Sequence, residues 1–277
     1  MKDLIKAFSS NMRNILANIW YEARRLYYVG IVSRLNDFFI QARSSKNYSL
    51  SSWEAHLQDE IIFWEKWLKT AEAARDKEYL RLRDPRSSLQ NIFLMFLPEG
   101  LETKKILDVG AGPLTRVNKI CNSAKIEICA VDALADTYDM LLRKYNITPT
   151  VRTQKCDGEK LSEKFQENSF DMVHSSNAID HMYDPLRCIA EMIRVAKKGS
   201  HIILQFNEMT AEFNRKAGLH QWNLFVKRPR LFSREKHLYL QGMRQESLDV
   251  TNFYEQIAEQ VYSVRDQRFT IVVFKKI

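Results

Sequence analysis

The stretch Ile106-Leu107-Asp108-Val109-Gly110-Ala111-Gly112-Pro113-Leu114-Thr115 limits what this chain can fold into more than any other. Its apolar run reads as a short strand buried on both faces, as in the middle of a parallel sheet. The strand meets an acid, Asp108, and passes into a glycine turn. Gly110 and Gly112 permit tight turning and close approach of the backbone to a ligand. Pro113 suits the first position of a helix, so the turn is expected to open one. A lone glycine pair after a strand is a weak signal. Its weight depends on the rest of the chain.

From Lys104 onward, short apolar segments alternate with amphipathic ones. Strands are expected at 104–108, 126–131, 150–155, 170–175, 201–206, 260–266 and 269–275, with helices at 113–123, 134–145 and 185–198. In the last helix Asp184-Pro185 forms the start, Lys197 and Lys198 fall in the final turn, and Gly199 closes it. Such alternation implies an α/β, Rossmann-like fold with a mainly parallel sheet, whose ligands bind beyond the carboxyl ends of the strands. Residues 1–100 read instead as a helical region and 101–277 as the sheet domain, with an insertion at about 207–249. Ser51 and Glu54 have capping-box spacing ahead of a long helix. Trp53, Leu57, Ile61, Trp64 and Leu68 form its apolar stripe. Asp84-Pro85 has the form of a second helix start, followed by Leu89, Ile92, Phe93 and Phe96.

Three further segments join the glycine turn. Ile126–Asp132 is a strand ending in an acid that can accept hydrogen bonds from both hydroxyls of a ribose. Lys155-Cys156-Asp157-Gly158-Glu159 follows the next strand, where Asp157 can accept from an adenine amine. Phe170–Asn177 is a buried strand followed by small polar residues. In this order and spacing the four resemble the class I S-adenosylmethionine-dependent methyltransferases, well over 104–206 and also in the C-terminal strand pair. The resemblance implies S-adenosyl-L-methionine as cofactor and a seven-stranded sheet with an antiparallel last strand. It places Asp108, Gly110 and Gly112, with Ala111 beside them, at the methionine end of the cofactor. Asp132, Asp157 and Gly158 fall at the ribose and adenine, and Asn177 at the methionine moiety. Leu114 stands where the family has a third glycine, so its side chain must point away from the cofactor or the first helical turn must shift. A nicotinamide-dependent oxidoreductase is the rival for the glycine turn, but it asks for glycine where Thr115 stands.

For the acceptor end two clusters qualify. Asn177-Ala178-Ile179-Asp180-His181 follows the fourth strand, and Gly218-Leu219-His220-Gln221-Trp222-Asn223 follows Asn207-Glu208 after the fifth. His181, with Asp180 beside it, and His220 are equal candidates for the catalytic base. Glu208, Gln221, Trp222 and Asn223 read as a polar acceptor surface with an aromatic platform. Phe63, Trp64 and Trp67 can pack over the pocket or into a core. Arg83, with Arg81 as the fallback, is the candidate for the cofactor carboxylate.

Charge adds a question about partners. Residues 1–50 carry eight Lys/Arg against three Asp/Glu, and residues 215–244 eight against one, within a net charge of +8. The segment Lys227-Arg228-Pro229-Arg230, with Arg234 and Lys236, suits a phosphorylated or nucleotide-linked small-molecule or glycan acceptor. It also suits RNA phosphates, although no base N-methyltransferase motif or RNA-binding module is present. The aromatic, arginine-rich stretch from Ile19 to Ile40 suits a membrane surface or a homodimer contact, the basis for a non-catalytic scaffold reading. No apolar run approaches the roughly 20 residues of a membrane-spanning helix, and no signal peptide is apparent. Cys121, Cys129, Cys156 and Cys188 form no metal-binding spacing, so no metal is expected and a cytoplasmic location is the default.

Overall fold

In the computed structural model the described residues are 50–100, 102–227, 237–241, 247–249, 255–264 and 267–276. They begin with helices α1 (Leu50–Ala74), α2 (Lys77–Arg83) and α3 (Asn91–Phe96). The sheet region then runs through β1 (Lys104–Val109), β2 (Ile126–Asp132), α4 (Ala135–Lys144), β3 (Thr153–Lys155), α5 (Leu161–Lys164) and β4 (Phe170–Ser176). It continues with α6 (Pro185–Val195), β5 (Ala196–Asn207) and α7 (Thr210–Phe213). Strands β6 (Asn223–Lys227), β7 (His237–Gln241), β8 (Ser247–Asp249), β9 (Glu255–Val264) and β10 (Gln267–Lys275) complete it. Tyr48–Ile277 forms one compact unit. The aromatic stretch Ile19 to Ile40 and the basic residues Arg228, Arg230, Arg234 and Lys236 lie outside the described residues. Among the described residues no helix is long and apolar enough to cross a membrane.

Seven strands build one sheet in the order β3-β2-β1-β4-β5-β10-β9. β1 to β5 are mutually parallel, and β10 runs antiparallel to both β5 and β9. The order reverses between β1 and β4, which opens a crevice beyond their carboxyl ends. Side chains along a strand alternate between faces. Leu107, Val109, Val173, Ile202 and Leu204 therefore pack into a core with α6. Ile106, Met172 and Ile203 turn to the other face, onto Leu89 and Phe93. The stripe on α1 behaves as its spacing implies: Trp53 and Leu68 are buried, and Leu57, Ile61 and Trp64 pack beside a third core holding Tyr79, Tyr138 and Leu114.

Several expected elements differ. No helix forms over 113–123. Thr115 gives its hydroxyl proton to Asp108 and accepts from Val117 N, which fits a turn better than a helix. The backbone groups of Lys119 and Ile120 bond to Ser87, and Leu89 N donates to Ile120 O, so the neighbouring segment takes up what a helix would satisfy internally. Leu114 points into the α1–α4 core, away from the crevice. Asp84-Pro85 makes a turn in which Asp84 Oδ1 accepts from Arg86 N, and the helix starts only at Asn91. Ser51 lies inside α1 rather than before it.

Asp184 caps α6, accepting from Arg187 N at 3.0 Å, with Pro185 in the first turn. The helix stops at Val195, because fully buried Ala196 already pairs with Phe170 as the first residue of β5. Lys197 and Lys198 are thus strand residues, and Lys197 Nζ lies 2.7 Å from Asp171. The insertion forms a separate three-stranded antiparallel sheet, β6-β7-β8, which the sequence reading did not anticipate. Its Leu224, Val226, Leu238 and Leu240 join the core of α6.

Phe93 ties α3 to the sheet, meeting the His174 ring edge-on with centroids 5.0 Å apart. It is 1% exposed. Phe93→Ala is expected to cost about 3–4 kcal/mol, the usual range for emptying an aromatic site in a packed core. A urea titration should show the midpoint falling with an unchanged slope.

Candidate active site

A cavity of about 310 Å³ occupies the crevice. Its floor is made of strand tips. Gly110 and Gly112 follow β1, Asp132 ends β2, Cys156, Gly158 and Glu159 follow β3, and Ser176, Asn177 and Ala178 follow β4. Both turn glycines are required, with φ of 67° and 62°. A β-carbon on Gly110 would collide with Ala178, and one on Gly112 would lie 2.7 Å from the Trp64 ring. Asn177 also takes the left-handed region, at φ 49°, which asparagine tolerates better than most residues. Its Oδ1 accepts from Asn207 N, fastening the β4 turn to the end of β5.

Asp132 accepts from Leu134 N at 2.9 Å and Gly112 N at 3.0 Å, one bond per carboxylate oxygen. Each oxygen keeps a further lone pair for a ligand. Burial pushes its pKa up to about 6, against the lowering effect of those two backbone bonds. Asp108 does not reach the cavity. Its two oxygens are taken by Thr115 Oγ1 at 2.5 Å and His174 Nδ1 at 2.7 Å, and it is 2% exposed.

α1 lays the roof with Trp53, Leu57, Glu60, Phe63 and Trp64. Glu60 Oε1 accepts from Trp64 Nε1 at 2.7 Å, and its Oε2 lies 3.5 Å from His181 Nδ1. The far wall brings together the two histidines chosen from separate motifs. His181 Nε2 lies 3.0 Å from His220 Nδ1, which is 2.9 Å from Asp180 Oδ2. Two indoles pin this wall: Trp53 Nε1 donates to His181 O, and Trp222 Nε1 to Met182 O. Burial raises the Asp180 carboxyl, but His181 and His220 outweigh it and its pKa falls below the ordinary value. Burial lowers His181, but Asp180, Glu60 and Asp132 together raise it above its ordinary value.

Of the residues singled out in the sequence, Gly110, Gly112, Asp132, Gly158, Asn177, Asp180, His181 and His220 line the cavity. Ala111 lies behind it, its N–H given to Val131 O. Asp157 is paired with Lys160 at 2.7 Å outside the lining. Arg83 contacts Glu72 and Tyr79 instead of the cavity, and Arg81 contacts Glu78 and Asn118. Glu208 is fully buried and accepts from Val226 N and Thr270 Oγ1. Gln221 donates to Lys216 O and Gly218 O, and Asn223 Oδ1 accepts from Ala211 N, so both brace the insertion. Arg228 is outside the described residues. The sequence reading missed Glu60, Arg116 and Tyr138 in the lining. Glu60 carried a signal, since it sits on the apolar stripe between Leu57 and Trp64.

Because the folded pKa of Asp132 is raised, its ionisation opposes folding. The stabilising neutral form is fully present below pH 4 and is lost as the pH rises through about 6. Asp132→Asn should therefore stabilise the protein by about 1–2 kcal/mol at pH 8, allowing for partial solvation and one weakened backbone bond. The gain in melting temperature should disappear near pH 4.

Part of the chain is similar to known proteins. Residues 107–204 match the family described as "Methyltransferase domain". An uncharacterized methyltransferase of Schizosaccharomyces pombe is 28% identical over 108 residues, covering 36% of this chain and 39% of the relative. The match thus spans well under half of that relative's length. Among solved structures, a Burkholderia thailandensis 1,6-didemethyltoxoflavin-N1-methyltransferase with bound S-adenosylhomocysteine is 13% identical, with a TM-score of 0.46. It covers 84% of this chain and 92% of its own. A Methanosarcina mazei S-adenosylmethionine-dependent methyltransferase is 15% identical, covering 69% and 99%, with a TM-score of 0.39. Residues 107–204 thus match a methyltransferase domain and build the core of the seven-stranded sheet, which supports the resemblance to class I S-adenosylmethionine-dependent methyltransferases.

Proposed function

We propose that this protein is a cytoplasmic enzyme that methylates a small-molecule or glycan acceptor, at oxygen. The observation that carries this is one cavity with two chemically different walls: bare glycines and Asp132 on one side, Asp180, His181 and His220 on the other. When bound, S-adenosylmethionine supplies a methyl group made electrophilic by its sulfonium.

The residues present fit that group. Asp132 offers open lone pairs to the ribose hydroxyls, and the Gly110–Gly112 turn leaves room where a side chain would intrude. Glu60, Asp132, Glu159 and Asp180 make the lining acidic, which favours a cationic sulfonium. Arg116, on the cavity wall, replaces Arg83 as the partner for the amino-acid carboxylate. Cys156 and Gly158 take the adenine end, where the side chain of Asp157 is engaged by Lys160. Opposite, Asp180, His181 and His220 hold the acceptor and stabilise the anionic form that a hydroxyl takes as it reacts.

Calorimetry with S-adenosylhomocysteine and radiolabelled methyl transfer to panels of small hydroxylated compounds and RNA test this reading. Asp132→Asn should weaken cofactor binding by about 1.5–3 kcal/mol, the value of charge-assisted hydrogen bonds. His181→Ala and His220→Ala should bind cofactor as the parent does and lose about 10²-fold or more in turnover. An absence of binding heat in the parent protein would remove the enzymatic reading, and transfer to RNA alone would move the acceptor to nucleic acid.

A further inference from the structure

We infer that Asp180, His181 and His220 form a binding site for one divalent transition-metal ion, with its open positions facing the cavity. The inference deepens the acceptor half of the reading above. It makes the acceptor a molecule that offers an oxygen ligand.

Three atoms converge there. His181 Nε2 and His220 Nδ1 are 3.0 Å apart, His220 Nδ1 and Asp180 Oδ2 are 2.9 Å apart, and His181 Nε2 and Asp180 Oδ2 are 3.5 Å apart. Ligands held about 2.0–2.2 Å from one ion at tetrahedral or octahedral angles stand about 2.9–3.5 Å from each other. The triangle has those edges. Hydrogen bonding accounts for it less well. A single N–H on His220 Nδ1 has one direction in the ring plane and cannot point along both short contacts. A cation at the centre satisfies all three atoms together.

The surroundings are those of a held site. Asp180 is 3% exposed. The carbonyl of His181 is fixed by Trp53 Nε1 at 2.7 Å, and that of Met182 by Trp222 Nε1 at 2.9 Å. The outer nitrogen of His181 faces Glu60 Oε2, the carboxylate–histidine arrangement that orients a metal-binding imidazole. Among the described residues this is the one group of His, Cys, Asp and Glu that converges in this way. Two imidazoles and a carboxylate suit Zn²⁺, Co²⁺ or Fe²⁺ better than Mg²⁺ or Ca²⁺. One ligand comes from the insertion and two from the turn after β4, so an ion would also tie the insertion to the sheet domain.

The full-length chain, stripped with a chelator and then freed of it, should take up one equivalent of Zn²⁺ in competition with a chromogenic chelator. Added Co²⁺ should give visible absorption bands of a nitrogen–oxygen site. Both signals should weaken at least 10-fold in His220→Ala and in His181→Ala and stay unchanged in His56→Ala. Glu60→Gln should weaken uptake by about 10-fold or more through the imidazole it orients. Failure of the parent to bind either ion, or uptake by His220→Ala equal to the parent, overturns the site. Calorimetry with S-adenosylhomocysteine on the same metal-free samples keeps the two readings apart: heat without metal uptake sinks only the metal, and metal uptake without heat sinks only the methyl transfer.

Discussion

The buried carboxylate of Asp108 is the constraint on which the site rests. One oxygen takes the proton of Thr115 and the other that of His174, which stands beside Asp108 across the β1–β4 pairing. The first bond fixes the chain beyond the glycine turn, and the second locks the two strands between which the sheet order reverses. His174 then reaches Gln205 of β5 with its other nitrogen, at 3.1 Å. Three adjacent strands are thereby joined beneath the cavity on the face that Phe93 covers. A charged group so deeply placed is tolerated only because its hydrogen-bonding capacity is used locally. Substituting it would take away the partner of His174 Nδ1 and of the Thr115 hydroxyl proton and loosen the turn above them.

Electrostatics inside and outside the cavity differ in sign. The chain is basic as a whole, yet its cavity gathers Glu60, Asp132, Glu159 and Asp180. Desolvation pushes Asp132 up to about 6 and Glu159 up to about 7, the latter partly opposed by the bond it accepts from Asp184 N. Two buried acids whose charged forms are disfavoured suit the cationic ligand of the proposed function.

Much of this was legible in the sequence because it depends on local pattern. The apolar runs set β1, β2 and β4, strand tips placed Asp132, and the glycines marked a turn that no side chain could enter. The helix after that turn was not legible. Pro113 at a first helical position is a true local signal, but Thr115 found a better partner in buried Asp108, and Ser87 took the backbone groups of Lys119 and Ile120. Gln221, Trp222 and Asn223 were misread for a related reason. A row of polar and aromatic residues has the same appearance whether it faces a ligand or braces a turn. Here only Leu219 and His220 of that row reach the cavity, and Trp222 secures the wall from behind.

The two ends of the cavity are built on different supports. The end proposed for the cofactor stands on tips of a continuous hydrogen-bonded sheet, within the residues 107–204 that match a methyltransferase domain. The wall proposed for the acceptor is assembled from α1, the turn after β4 and the insertion. Of its main contributors, Trp53, Glu60, Trp64 and His220 all fall outside the matched stretch. These elements are packed onto the sheet domain through apolar cores, and two indole N–H groups, on His181 O and Met182 O, fix their orientation at the wall. Glu60, Asp180, His181 and His220 meet in the cavity only because this chain wraps its helix and insertion around the sheet, so under the proposed function acceptor choice would follow from them.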